Sequence, residues 1–150
     1  MGLDMYLEAK RYVAPSDPQT EPMRRAIGAA IGYVPPKEKP GEDASLLEVS
    51  GVTVRVGYWG KFDALHQWFV GNAQEGHDDC RPAYVDRRCL QQLREVCERV
   101  IDDPKQAAKH FIVESGADLY VEELQYTLDI LAHGITLQEQ GWDIHYRASW

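Results

Sequence analysis

Three segments of the chain alternate between apolar and polar residues, which is typical of half-buried β-strands. They are Gly2–Glu8, Val52–Tyr58 and Trp142–Arg147. Because successive side chains of a strand point to opposite faces, each segment would turn one apolar row towards a core. The pattern therefore predicts about three strands, one near each end of the chain and one in the middle.

Apolar residues at helical spacing predict about four helices, all of them between the second and third predicted strands. Asp86 and Asp103 are expected to be helix N-caps, and Ser115 with Asp118 resembles a capping box. Gly134 is expected to end the last helix. The predicted boundaries are Phe62–Asn72, Asp86–Asp102, Asp103–Phe111 and Ser115–Gly134.

A proline-rich segment, residues 15–43, separates the first two predicted strands. It holds six of the eight prolines, and the apolar residues from Met23 to Ile31 predict one short helix within it. A chain of 150 residues has the length of one ordinary domain. We therefore expect a single α+β domain, residues 1–150, in which a small antiparallel sheet is covered on one face by helices and residues 15–43 form a peripheral excursion.

The net charge of the chain disfavours one class of partner, nucleic acid. The formal net charge is −8, and residues 76–150 carry 14 acidic and 8 basic side chains. Such a surface repels a phosphate backbone, so direct binding of nucleic acid is disfavoured. The simpler explanation of this charge is an acidic exterior that is only solvated. The functional explanation is that the acidic surface binds a protein partner whose own surface is basic and binds nucleic acid. Asp118, Glu122 and Glu123 are the predicted acidic contacts.

The number of cysteines and the short apolar runs favour a location in the cytoplasm. Cys80, Cys89 and Cys97 are odd in number and do not suggest a disulfide framework, which is typical of a reducing cytoplasm. No apolar run approaches the roughly 20 residues that span a bilayer, and no basic segment leads into an apolar one. We expect a cytoplasmic protein that contacts no membrane and needs no cofactor.

The residues best placed for chemistry lie on the first predicted helix and in the loop after it. Asp63 and His66 are three positions apart, so on a helix the carboxylate could orient the imidazole as a general base. The loop adds Asp78, Asp79 and Cys80. A histidine at the border of an apolar stripe is more often structural, and the loop lacks the paired spacing of a zinc site, so no metal is expected.

Aromatic residues cluster at the end of the second predicted strand. Such residues concentrate at the centres of interfaces, but beneath a small sheet they also fill the core. We expect Tyr58 and Trp68 to lie in the core. Trp59 points to the face opposite the valine row of its strand, and it is therefore the predicted contact residue.

Four segments of the sequence resemble a family of small proteins from phages, prophages and bacterial mobile elements. They are MGLDMYL at residues 1–7, YWGKFDALHQWFV at 58–70, DDC at 78–80 and YRASW at 146–150. The family pattern has Arg at the position of Gly60 and Asn at that of Asp63, so the longest motif departs from it twice. The resemblance implies an accessory protein acting in the host cytosol, and it assigns no catalytic residue.

Two functions remain open at this point. The favoured one is an accessory protein that binds a host or phage component stoichiometrically, with inhibition of a host defence system as its sharpest form. The alternative is a small hydrolase or transferase acting on nucleotides, with a site around Asp63, His66 and the Asp78–Cys80 loop. A deep pocket where this loop meets His66 would favour the enzyme, and an exposed patch without a cleft would favour the binding protein.

Overall fold

A computed structural model describes residues 2–33, 49–112 and 121–150 of the protein. These residues divide into two compact units, the larger within Met1–Lys10 and Val54–Trp150 and the smaller within Arg11–Thr53. Within the described residues, the elements in chain order are β1 (Asp4–Tyr12), α1 (Glu21–Ala30), β2 (Gly51–Gly60), α2 (Asp63–Asn72), β3 (Ala83–Tyr84), α3 (Arg87–Asp102), α4 (Ala107–His110), α5 (Val121–Glu139) and β4 (Asp143–Ser149). Single-turn 3₁₀ helices at Pro18–Thr20 and Pro104–Gln106 precede α1 and α4.

The four strands form one antiparallel sheet in the order β2-β1-β4-β3. β1 pairs with β4 from Asp4 opposite Ser149 to Lys10 opposite Asp143. The predicted α+β class is therefore confirmed, with one strand more than the number expected. The additional strand, β3, is only two residues long, too short to show any periodicity in the sequence.

The core lies between one face of this sheet and the helices of the larger unit. Alternate residues of β1 and β4 are buried, as the sequence pattern predicts for strands covered on one side. Tyr146 of β4 is fully buried, and its ring stacks on Phe69 of α2 with centroids 4.0 Å apart and planes 9° apart. Burial of each large apolar side chain of this kind stabilises the fold by about 1.5–3 kcal/mol.

Helix α5 packs closely over the sheet where small residues permit it. A Cβ atom at Gly57 of β2 would overlap the Ile130 side chain, so a larger residue there would force that side chain to shift. Gly134 is buried within α5 and lies close to Leu7, and the helix continues to Glu139. The prediction that Gly134 ends this helix is therefore wrong, because its small size serves packing.

The helix stop is instead at Gly141, which has φ of +86°. The backbone N–H of Trp142 donates to the carbonyl of Leu137, closing the last turn as a left-handed glycine cap does. Both aspartate N-caps are confirmed: Asp86 accepts from the N–H of Cys89 at 2.7 Å and Asp103 from that of Lys105 at 3.2 Å.

The smaller unit holds the helix predicted for Met23–Ile31, which spans Glu21–Ala30. The Arg24 guanidinium donates to the carbonyl of Ala14 at 2.6 Å and ties the helix to the chain before it. Whether residues 15–43 are peripheral to the fold stays a prediction. The predicted capping box of Ser115 and Asp118 lies outside the described residues.

Candidate functional site

His66 is the buried centre of a hydrogen-bonded relay that ends in the exposed carboxylate of Asp78. Its side chain, supplied by α2, is 4% exposed. Nδ1 lies 2.7 Å from the hydroxyl oxygen of Tyr146 in β4, and Nε2 lies 2.9 Å from Oδ1 of Asp78 in the loop after α2. The ring of Trp150 packs beside the imidazole, with centroids 5.7 Å apart. Three of the four segments that carry the family resemblance thus meet at this histidine.

The two partners determine the tautomer of the His66 ring. The Asp78 carboxylate accepts the proton of Nε2, so Nδ1 is the acceptor of the hydrogen bond that the Tyr146 hydroxyl donates. Burial, with the negative charge of Asp78, raises the pKa of Tyr146 and keeps that hydroxyl protonated. Both ring nitrogens are engaged, and the relay therefore ties the loop to the sheet without leaving a nitrogen for a substrate.

The carboxylate beside His66 is Asp78 and not the predicted Asp63. Asp63 is exposed in the first turn of α2, whereas His66 lies with Leu65 and Phe69 among the buried residues of this helix. The imidazole is turned into the core, where the loop carboxylate reaches it from outside the helix. Asp78 is 12 residues from His66 in the sequence, and no helical or strand spacing predicts a contact at that separation.

The other candidate residues of the loop stabilise its fold. The buried Gln74 side chain donates to the carbonyls of Asp79 and Arg81, at 3.1 and 3.4 Å. Asp79 accepts from both the side chain and the backbone of Arg81, and these hydrogen bonds lower the pKa of its carboxyl. Cys80 is exposed at the tip between them.

An open depression of about 340 Å³ lies beside this loop. Its walls are formed by Ala73, Gln74, Glu75, His77, Asp79, Arg81, Pro82 and Ala83. None of His66, Asp78 and Tyr146 lines it, so the depression and the relay are separate features. Within residues 2–33, 49–112 and 121–150, no three side chains of the His, Cys, Asp and Glu types are arranged to hold a metal ion.

The structure reverses the predicted roles of the two aromatic residues at the end of β2. Trp59 is 4% exposed, and its indole N–H donates to the hydroxyl of Thr127 in α5 at 3.0 Å, so the prediction that it contacts a partner is wrong. Tyr58, predicted to be in the core, is 42% exposed on the opposite face. Trp68 is buried as expected. The helices cover Gly57 and Trp59, and α5 packs directly against that glycine.

The sheet face opposite the helices presents a cluster of tyrosine and arginine side chains. The rings of Tyr6 and Tyr58 are tilted against each other with centroids 5.5 Å apart. The guanidinium carbons of Arg55 and Arg147 lie 4.8 and 4.6 Å from the centroid of the Tyr6 ring, in cation–π geometry. We call Tyr6, Arg55, Tyr58 and Arg147 the tyrosine–arginine cluster.

Acidic neighbours hold this cluster in place. The Tyr58 hydroxyl donates to Asp4 at 2.6 Å, and this hydrogen bond is the main reason that the pKa of Tyr58 is raised. The Arg147 guanidinium pairs with Glu8 at 3.2 Å. An aromatic surface that is already ordered loses less conformational entropy when it is covered by a partner.

A second aromatic pair extends the same face towards β3. Tyr84 is 56% exposed, and its ring meets His145 of β4 edge to face with centroids 5.8 Å apart. Burial lowers the pKa of His145, so this imidazole is neutral near pH 7. We define the open face as the tyrosine–arginine cluster with this pair and the charged residues alongside: Asp4, Tyr6, Glu8, Lys10, Arg55, Tyr58, Tyr84, Asp143, His145 and Arg147.

The open face is electrically balanced. Three of these residues are acidic and three are basic, so their formal charges cancel, although the chain carries −8. The acidic excess therefore lies on other surfaces, and aromatic residues with arginine are enriched in the centres of protein interfaces. In sequence these residues look like the solvated row of half-buried strands, which is why the pattern alone did not single them out.

The predicted acidic contacts lie elsewhere. Glu122 and Glu123 are in the first turn of α5, the former exposed and the latter partly buried. Partial burial raises the pKa of Glu123. Asp118 lies outside the described residues, and their role in binding stays a prediction.

Comparisons with known proteins add no relative. No family model, curated protein or solved structure matches the chain. Across the described parts of the chain, none of the helices combines the length and the apolar character that crossing a bilayer requires.

Proposed function

We propose that the protein acts by stoichiometric binding of a macromolecular partner, with the open face as its contact surface. The observation that carries this proposal is the ordered tyrosine–arginine cluster on the sheet face opposite the described helices of the larger unit. Tyrosine and arginine are the residue types that most often dominate binding energy, since they offer large, stiff contact areas together with hydrogen-bond donors.

The biological setting of the proposal comes from the sequence resemblance. A small accessory protein of a phage or mobile element, working in the host cytosol, would bind a host or phage component, and inhibition of a host defence system is its sharpest form. A basic partner surface could in addition approach the acidic helices, where Glu122 and Glu123 begin α5. This long-range attraction would raise the association rate, while the open face would supply the close contact.

The rival hypothesis of a nucleotide hydrolase or transferase has less support from the geometry. Its predicted base, His66, is buried with both nitrogens hydrogen-bonded, and the adjacent depression is open and excludes it. A general base must reach the proton that it abstracts. The described residues therefore favour contact over turnover.

The test starts from capture of the partner by tagged protein in a bacterial lysate, followed by titration of the purified partner. We expect full effect at about one protein per target, and Tyr58→Ala to weaken binding about tenfold or more. The matched control is Tyr126→Ala, since Tyr126 is a comparably exposed tyrosine of α5, 49% exposed. It should bind as the wild type does.

Turnover has a distinct signature in the same titration. Full effect at far less than one protein per target, abolished by His66→Gln in a variant that remains folded, would contradict the proposal. Asp79→Asn separates the loop from the relay, because Asp79 contacts Arg81 and not His66. On our proposal, Asp79→Asn leaves the stoichiometry and the affinity unchanged.

A further inference from the structure

The strand β2 forms one edge of the sheet and borders the open face. The sheet order places β2 and β3 at the two edges, and β2 has ten residues whereas β3 has two. Among the described strands, β1 alone pairs with β2. The unpaired side of a long edge strand presents backbone N–H and C=O groups on which another strand can be added.

Arg55 differs from the other arginine of the cluster in its charge partner. Arg147 is paired with Glu8, whereas Arg55 stacks on Tyr6 and has no acidic partner among the described residues. A guanidinium has five N–H donors and no acceptor, and it binds a carboxylate through two parallel hydrogen bonds. Within the described residues, Arg55 is therefore a guanidinium on the edge strand that could bind the carboxylate of a partner.

The same arginine disfavours a second copy of the chain as the added strand. Two copies related by a two-fold axis would pair their β2 edges antiparallel, which brings the two Arg55 side chains near each other when the axis passes near the middle of the strand. Each copy also carries a net charge of −8. Charged residues on an edge strand commonly prevent this self-pairing.

We infer that the partner contributes an extended, acidic protein segment, which adds to the sheet along β2 and places a carboxylate on Arg55. This inference rests on the proposed function and names the chemistry of its partner. Strand addition supplies main-chain hydrogen bonds for affinity, and alternate side chains supply specificity on the open face. Single-stranded nucleic acid also offers anions and stacking groups, but a polyanion meets the repulsion of the whole chain, whereas one carboxylate meets mainly the balanced local charges.

Synthetic peptides test the charge part of the inference. The probe is a fluorescent peptide of about nine residues that alternates Thr and Val and carries one Glu at its centre, compared by anisotropy with the analogue that has Gln at that position. We expect the Glu peptide to bind about tenfold more tightly, and Arg55→Gln to remove that difference. Arg88→Gln is the matched control, since Arg88 is an exposed residue of α3 with no ion pair in the described structure. It should preserve the preference.

Backbone methylation of the Glu peptide tests the strand addition on the wild-type protein. In one version the odd amides carry N-methyl groups, and in the other the even amides do. Because alternate N–H groups of a strand point to opposite edges, one version should lose binding about tenfold or more while the other retains it. Both versions keep every carboxylate, so charge alone does not explain a difference between them.

The outcomes separate this inference from the proposed function. Equal binding of the Glu and Gln peptides, or equal loss with both methylation patterns, would overturn the inference while Tyr58-dependent binding of the captured partner stands. Tighter binding of a thymidine oligonucleotide of equal length would assign the face to nucleic acid and overturn it as well. A dimer in sedimentation that Arg55→Gln strengthens would assign the edge to a second copy. If Tyr58→Ala binds the captured partner as tightly as the wild type does, the proposed function itself is overturned.

Discussion

The two faces of the sheet use tyrosine in opposite ways. On the covered face, the buried Tyr146 ring stacks on Phe69 of α2, and its hydroxyl donates to the buried His66. On the open face, the Tyr58 ring packs on Tyr6 and its hydroxyl donates to Asp4. Burial fixes the first tyrosine, whereas side-chain neighbours alone fix the second. The order of the exposed Tyr58 ring therefore comes from Tyr6 and Asp4 and not from the core, which suits the contact surface that we propose.

The largest effect on stability is expected on the covered face, at Phe69. The Phe69→Ala variant removes the ring that stacks on Tyr146 and leaves a cavity, so the free energy of unfolding should fall by about 3–5 kcal/mol. Urea denaturation followed by tryptophan fluorescence measures it. Tyr126→Ala on the surface of α5 should change the same quantity by less than about 0.5 kcal/mol. A loss below about 1 kcal/mol for Phe69→Ala would show that the covered face packs loosely.

The buried contact between His66 and Tyr146 is expected to have the next largest effect on stability. Tyr146→Phe removes one hydroxyl and leaves Nδ1 of His66 buried without a donor, which should cost about 1–3 kcal/mol of unfolding free energy. Partner binding should be unchanged, because the open face is intact. A variant as stable as the wild type would mean that the relay does not hold the loop to the sheet.

High pH should lower the free energy of unfolding through the two buried thiols of α3, Cys89 and Cys97. Burial raises the pKa of Cys97 to about 12 from an ordinary value near 9. Because the folded state holds this proton more tightly, its stabilising contribution is complete below pH 9 and is lost as the pH rises towards 12, at about 1.4 kcal/mol per pH unit. Cys89 behaves in the same way, with its pKa raised to about 11.

Urea denaturation at pH 8, 9 and 10 measures this dependence. Cys97→Ala removes the thiol, so its stability should fall less steeply above pH 9 than that of the wild type. The exposed Cys80 should react with a thiol reagent in the folded protein, whereas the buried pair should react on unfolding. Equal slopes for the variant and the wild type would contradict the role of Cys97.

The elements of the fold were predictable from the sequence to the extent that their signals are local. Strand alternation and the aspartate caps are properties of neighbouring residues, and the structure has them near the predicted positions. Gly134 misled because a helix interior and a helix end can both require glycine, and only the packing against Leu7 distinguishes them. Neither the partner of a helix face nor a strand of two residues leaves a periodic signal.

The candidate site was less predictable because its contacts join distant parts of the chain. His66 and Tyr146 are 80 residues apart, and Asp4 and Tyr58 are 54 apart. In β2 the alternation is interrupted, because the neighbours Val56 and Gly57 both pack towards the core. Arg55 and Tyr58 therefore share the open face although they are three residues apart, and Trp59 is buried.

The smallest expected effect concerns the acid that orders the open face. Asp4→Asn removes the charge beside the Tyr58 hydroxyl, whose pKa is raised first by the hydrogen bond to that carboxylate. The pKa of Tyr58 should therefore fall towards 10 in Asp4→Asn, as followed by NMR of tyrosine labelled at Cζ. The free energy of unfolding near pH 7 should change by less than about 0.5 kcal/mol, because both groups are at the surface. Asp63→Asn, an exposed aspartate of α2, is the control and should leave the Tyr58 titration unchanged. If Asp4 also orders the contact surface, Asp4→Asn should weaken partner binding by about two- to fivefold, because the Tyr58 side chain then loses conformational entropy when the partner binds. A lowered pKa with unchanged binding would show that the hydrogen bond exists but that order at Tyr58 contributes nothing to recognition.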